Sequence, residues 1–239
     1  MASPRPVPFQ PVPPPPVLPL GARLRSPAGL GLAAAILLGL VLAADLFACF
    51  ADQMEAEVAH DLLGGVDAEL SRRANRADGL YGTAGIMQGV TMVATVVVYL
   101  CWLWRARLNA EVFEPYGHRM KRGWAIGSWF VPIGNLWLPR RVVLDVWTAS
   151  VPPGARVRNT PVNAWWTLWI ISLLAGRAAA QQYDAADTAA EVGDAARLML
   201  FSDALDAVAA ILAIVVVVHL TRMQRRRLLV PPGAAPAFG

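Results

Sequence analysis

Between Ala28 and Phe50 the chain reads AGLGLAAAILLGLVLAADLFACF, 23 residues with a single charge, Asp45. A helix of that length exceeds the roughly 30 Å of hydrocarbon in a bilayer. Three further blocks have the same character, at about 81–104, 164–180 and 198–220. Lipid offers backbone amides no partners, so segments like these must close their hydrogen bonds internally, as helices. Composition agrees: charged residues are 16% of the chain and the mean hydropathy is +0.45. Soluble proteins carry about 25% charge. The fold predicted is an all-α integral membrane protein with four transmembrane helices.

A fifth stretch, GWAIGSWFVPIGNLWLPRR from Gly123 to Arg141, is apolar but broken by Pro132, Gly134 and Asn135. If it returns to the side it entered from, 16 Lys and Arg residues lie inside and 5 outside. If it crosses, the split becomes 10 against 11. Basic residues gather on the cytoplasmic side, so the first arrangement is expected, with both termini cytoplasmic at the plasma membrane. Residues 123–149 then form a re-entrant or interfacial broken-helix element between the second and third spans. From Gly123 to Val131 a helix covers about half a bilayer before proline removes a donor. The return leg places Leu138, Val142, Val146 and Ala149 on one helical face, with Arg141 and Asp145 four apart and able to pair. Trp102, Trp104, Trp165 and Trp166 are expected at the headgroups as an aromatic belt.

The domain plan is a proline-rich cytoplasmic tail at 1–25, a membrane domain at 26–228 and a short tail at 229–239. The head, MASPRPVPFQPVPPPPVLPL, favours polyproline II and has no uninterrupted apolar core of a signal peptide. It reads as a disordered tail, with a docking strip for a proline-binding partner as the alternative. The net charge of +4 sits in loops, where it suits anionic headgroups; no basic stripe with interleaved aromatics points to nucleic acid. Cys49 and Cys101 fall near opposite membrane faces, too far apart for a disulfide.

Three carboxylates lie inside predicted spans: Asp45 in the first, Asp203 and Asp206 in the fourth. Ionisable groups at membrane depth are costly and mark candidate polar sites. The functional reading is a cation or proton site between the first and fourth helices; the structural one is a polar cluster satisfied by hydroxyls, Arg177 or water. Small residues recur at Gly31, Ala35, Gly39 and Ala43, and at Gly85 and Gly89, which lets helices approach closely, within the bundle or between copies. Glu111, Glu114 and His118 resemble a carboxylate–histidine set, but Pro115 breaks the helix such ligation needs, so no metal is expected. No nucleophile with a paired base and no phosphate-cradling loop appears. The chain is read as a non-enzyme with no cofactor.

The runs CWLWRARLNAEVF, GWAIGSWFVPIGNLWLPRRVVLDVWTAS and VNAWWTLWI resemble an actinobacterial membrane-protein family, the domain of unknown function 4328, over roughly residues 80–220. The resemblance implies a multi-pass membrane protein and transfers no activity and no catalytic residues. The expected role is a membrane scaffold or modulator whose partners are the bilayer and either another membrane protein or further copies of itself. The alternative is a small carrier or channel-like protein, with its polar site at the broken helix and the intramembrane acids.

Overall fold

The computed structural model describes residues 24–152 and 154–229. The proline-rich head up to residue 23 and the tail from 230 lie outside the described residues. Every regular element is helical: α1 (Ala28–Leu62), α2 (Ala68–Phe113), α3 (Trp124–Gly127), a 3-10 turn (Gly134–Leu136), α4 (Leu138–Ser150), α5 (Thr160–Asp184) and α6 (Ala189–Leu229).

The long helices outrun the apolar blocks that begin them. α1 is 35 residues, α2 is 46 and α6 is 41. The stretches 52–79 and 181–197, expected as loops, are mostly helix. Local chemistry explains this. Asp67 caps α2 by accepting from the Leu70 amide at 2.7 Å. Gly65, at φ +120°, supplies the turn between α1 and α2. Thr188 and Glu191 form a reciprocal cap on α6: Glu191 accepts from the Thr188 amide at 3.0 Å, and Thr188 accepts from the Glu191 amide at 3.3 Å. Val58, Leu70 and Ala77 then zip the α1–α2 hairpin beyond its apolar part.

The four long helices run antiparallel between two common ends, in the lateral order α2–α1–α6–α5. At one end, the turn end, Arg73 reaches Asp61 and Tyr81 stacks on Tyr183. At the other, the tail end, the start of α1 meets the ends of α2 and α6. There α4 lies against α2, α5 and α6.

α1 and α6 meet along a seam with alternating three- and four-residue steps. On α1 it is Gly31, Ala34, Leu38, Val41, Asp45, Ala48, Asp52, Glu55 and Ala59, all buried. On α6 it is Asp203, Asp206, Ala210, Ala213, Val217, Leu220 and Gln224, of which only Asp206 is partly exposed. This is a coiled-coil period, and its small residues bring the backbones close. A Cβ on Gly31 would stand 2.5 Å from Thr221 Oγ1, and one on Gly176 would stand 2.8 Å from Ser202 Oγ.

Three helices, not the expected four, are long and apolar enough to cross a membrane: α1, α2 and α6. The block at 164–180 lies in α5. At 25 residues it has the length, but its tryptophans contribute little hydropathy and Asn163 and Arg177 interrupt it. Its tryptophans also correct the expected aromatic belt. Trp102, Trp165 and Trp166 are buried in the core, where Tyr99, Trp129 and Trp169 pack among them with ring centroids 4.9–6.1 Å apart. Asp145 pairs with Arg119 at 3.3 Å, not with Arg141, because α4 turns the Asp145 face towards the loop after α2 and leaves Arg141 exposed. Cys49 and Cys101 are both free.

Candidate functional site

The seam's polar residues collect towards the turn end. Asp45 is 1% exposed, Asp52 1%, Glu55 6% and Asp203 8%. Gln88, reaching from α2, donates to Asp45 Oδ1 at 3.1 Å. On the far side Ser172 of α5 donates to Asp206 Oδ1 at 3.0 Å, and Ser202 donates to the Ser172 carbonyl at 2.9 Å. Of the three acids singled out in the sequence, Asp45 and Asp203 are buried, and Asp206, partly exposed, turns a carboxyl oxygen to Ser172 of α5.

Two more acids belong to the array and were taken for loop residues. Asp52 and Glu55 lie on the buried face of α1 that meets α6, next along the seam from Asp45 and Ala48. A signal for them exists in the sequence. Asp45, Asp52 and Glu55 share one helical face at steps of seven and three, continuous with Leu38 and Val41.

The array holds more acceptors than donors. Asp45 Oδ2, Asp52 Oδ2 and Glu55 Oε2 are buried and meet no donor. Arg177, the cation expected to satisfy the cluster, is exposed. Among the described residues no three of His, Cys, Asp and Glu converge as a metal would require. The acids are strung along the seam and do not surround a point.

Beside Asp206 the bundle opens into an apolar cleft of about 90 Å³ between α2 and α5, walled by Leu38, Tyr99, Trp129, Trp165 and Trp169. The polar line thus runs from exposed Asp78 at the turn end down to Asp206, and apolar and aromatic side chains take over there.

The remaining candidates are elsewhere. Pro132, Gly134 and Asn135 sit where the chain leaves α3 and turns into α4 at the tail end. Ile133 takes φ +62°, and the Gly134 and Asn135 amides donate to Pro132 and Val131 carbonyls at 2.6 and 2.9 Å. Gly134 is buried while Pro132 and Ile133 are exposed. Trp166 Nε1 satisfies the Leu136 carbonyl at 2.8 Å, and the Asn135 side chain takes no hydrogen bond among the described residues. Glu111 is occupied by two cations, Arg107 at 2.9 Å and Arg122. His118 lies beyond the end of α2. Burial, and next the buried Arg107 guanidinium, push it below the usual histidine range.

Sequence reasoning missed a second polar centre, at the tail end. Gln224, fully buried, donates to the Ala106 carbonyl at 2.9 Å and to Ser150 Oγ at 3.0 Å. It accepts from Asn109 at 3.0 Å, and Asn109 in turn pairs with both backbone groups of Arg25 at 2.8 and 3.1 Å. Arg227 donates to the Ala149 carbonyl at 2.6 Å and lies 4.8 Å from the centre of the Phe113 ring. This centre is fully paired, and its chemistry is structural.

The model of a family described as a domain of unknown function (DUF4328) matches residues 67–222, more than half of the 239-residue chain. The match takes in α2 to α5 whole and most of α6. No curated protein and no solved structure matches the chain.

Proposed function

Because the chain belongs to the DUF4328 family, a domain without a known function, we infer its role from geometry and propose a non-enzymatic, multi-pass plasma-membrane protein that docks other membrane proteins. α5 crosses with the three apolar helices, making four spans. Support comes from its packing: α5 runs beside α6 from Val162, near α4, to Tyr183, stacked on Tyr81 at the turn end. A helix tied to both ends of a spanning bundle shares its depth, and its tryptophans and serines face protein. Both termini then lie on one side, cytoplasmic by the distribution of basic residues. The segment at 123–149 enters the interface at that side and returns as α4.

The observation that carries docking is the bare flank of α2. Gly82, Gly85 and Gly89 are exposed, and a Cβ on any of them would meet nothing within 4 Å. Ile86, Val90, Val93 and Val97 flank them, 59–70% exposed. A glycine stripe at membrane depth with no helix against it suits the approach of a partner helix, from another protein or a second copy. The test is disulfide trapping in native membranes with a background lacking Cys49 and Cys101. Cysteines placed at Gly85 and Gly89 should trap an adduct, and one at Leu40, exposed on α1, should not. Equal or no trapping at both positions would sink the docking reading. Topology is checked in the same background. Impermeant thiol reagents on intact cells should label cysteines at Gly65 and Thr188, and not at His118 or Arg156; labelling at Arg156 would overturn the four-span arrangement.

The carrier reading is favoured by the buried acids and opposed by the apolar cleft below Asp206, which offers ions no hydrated route onward.

A further inference from the structure

We propose that a basic cleft at the tail end, between α4, the loop that follows it and α6, docks the headgroup of an anionic phospholipid. Partner docking along α2 plays no part in this; the cleft needs only a leaflet surface at the tail end.

One wall is a face of α6. His219, Arg222, Met223 and Arg226 fall at steps of three, one and three, which places them on one side of a helix. The other wall is the loop after α4, which carries Arg156 and Arg158. Trp147 joins the two. It is 3% exposed, its ring stacks on His219 with centroids 5.3 Å apart, and its Nε1 donates to the Arg158 carbonyl at 3.1 Å. Arg227 donates to the Ala149 and Val151 carbonyls at 2.6 and 3.2 Å and fastens the start of the loop to α6. The space between the walls is about 630 Å³. Small-ligand sites span roughly 300–1,000 Å³.

Charge decides what fits. Arg156, Arg158, Arg222 and Arg226 line this space and no carboxylate does. Among the described residues none of the four forms an ion pair. Other arginines at the tail end are matched: Glu111 meets Arg107 and Arg122, and Asp145 meets Arg119. Like charges four apart on a helix, as at Arg222 and Arg226, repel each other until an anion comes between them. Phosphate is the anion that guanidinium forks bind best. α5 also starts in this wall, at Thr160 and Pro161, without a side-chain cap, and brings the positive end of its helix to the same place.

The rest of the lining selects lipid over a soluble phosphate. Trp147, Val151 and Met223 give the cleft an apolar side. A free phosphate makes no use of it, whereas glycerol and the first methylenes of two acyl chains pack there. In the four-span arrangement the tail end lies at the headgroups of the cytoplasmic leaflet, where anionic lipids meet basic pockets between helix ends.

The test is native mass spectrometry of the full chain in a non-ionic detergent, titrated with phosphatidylglycerol and, in parallel, with phosphatidylcholine of the same acyl chains. Phosphatidylglycerol should bind about tenfold more tightly, and Arg222→Gln with Arg226→Gln should remove that preference. Lys121→Gln with Arg141→Gln, the same charge change at exposed positions of the same end outside the cleft, should leave it intact. Equal binding of the two lipids by the unaltered protein would overturn the proposal, and that measurement holds even if a variant fails to fold. Equal losses in the two double variants would overturn the assignment to the cleft, since net charge alone would then explain the preference. Displacement of the lipid by excess inorganic phosphate would show a soluble-phosphate site instead. Cysteine trapping along α2 is read separately, so failure of either result leaves the other standing.

Discussion

Asn109 of α2 and Gln224 of α6, 115 residues apart in the chain, share a buried 3.0 Å hydrogen bond that ties the start of α1, the end of α2, α4 and α6 into one tail-end knot. Each amide is satisfied on several sides, and Ser150 completes the set by donating to the Val146 carbonyl at 2.7 Å. Networks of this kind are worth most when complete, because removing one member strands its partners away from water.

Gln224→Leu should therefore destabilise strongly. It would leave one Asn109 amide proton without a partner, at about 1–3 kcal/mol, and take from the Ala106 carbonyl a second hydrogen bond beyond its helical one. Thermal unfolding in mild detergent measures it. A melting temperature within a degree of the unaltered protein's would show that water reaches the knot.

Gly31→Ala should destabilise although alanine is the better helix former. Its Cβ would come within 2.5 Å of Thr221 Oγ1, which is held by a 3.0 Å hydrogen bond from Trp102 Nε1 and cannot swing away freely. Overpacking of this kind costs about 1–3 kcal/mol, against up to about 1 kcal/mol gained from helix propensity. Gly85→Ala meets open space and should be neutral or stabilising. Equal effects from the two substitutions would mean α1 and α6 are not packed as closely as described.

These two sites show what was legible in the sequence. The apolar blocks announced long helices, three of them apolar enough to cross a membrane, and Gly31 marked a close approach that the rest of its stripe does not share, since a Cβ on Gly39 would meet nothing within 4 Å. The α1–α6 seam could also be read, since its 3.5-residue period continues through Asp45, Asp52 and Glu55. Asp52 and Glu55 escaped because the helix was taken to end with its apolar block at Phe50, when capping at Asp67 and packing of Val58 on Leu70 extend it. α5 was overestimated as an apolar span because its tryptophans look like membrane residues but pack on Tyr99 and Trp129. The tail-end knot was beyond reach for another reason. Arg25, Asn109, Ser150 and Gln224 have no common spacing, and only the tertiary fold brings them together.

His118 should make stability fall in mild acid. Its folded pKa is lowered, by burial first and the Arg107 charge second, so the folded state resists a proton that the unfolded chain accepts near pH 6.5. Its contribution is complete above that value and declines as pH drops below it towards the folded pKa. Melting temperatures from pH 8 to pH 5.5 should show the decline, and His118→Gln should flatten it. An identical slope in the variant would assign the acid sensitivity to other groups.

The break between α3 and α4 separates two accounts of how a turn inside a membrane protein is held. In one, the Asn135 side chain satisfies the freed backbone, and Asn135→Leu would cost stability. In the structure the amides after Pro132 bond to Pro132 and Val131 carbonyls, and the Leu136 carbonyl is met by Trp166 Nε1, on a side chain 4% exposed. Trp166→Phe keeps most of the ring packing and strands that carbonyl, at about 1–3 kcal/mol. Asn135→Leu removes no hydrogen bond among the described residues and should stay within about 0.5 kcal/mol. Both are read by unfolding in detergent, with proteolysis of the 123–137 segment as a local probe. If Asn135→Leu proves the costlier of the two, the turn is held by its own asparagine and the tie from α5 is incidental.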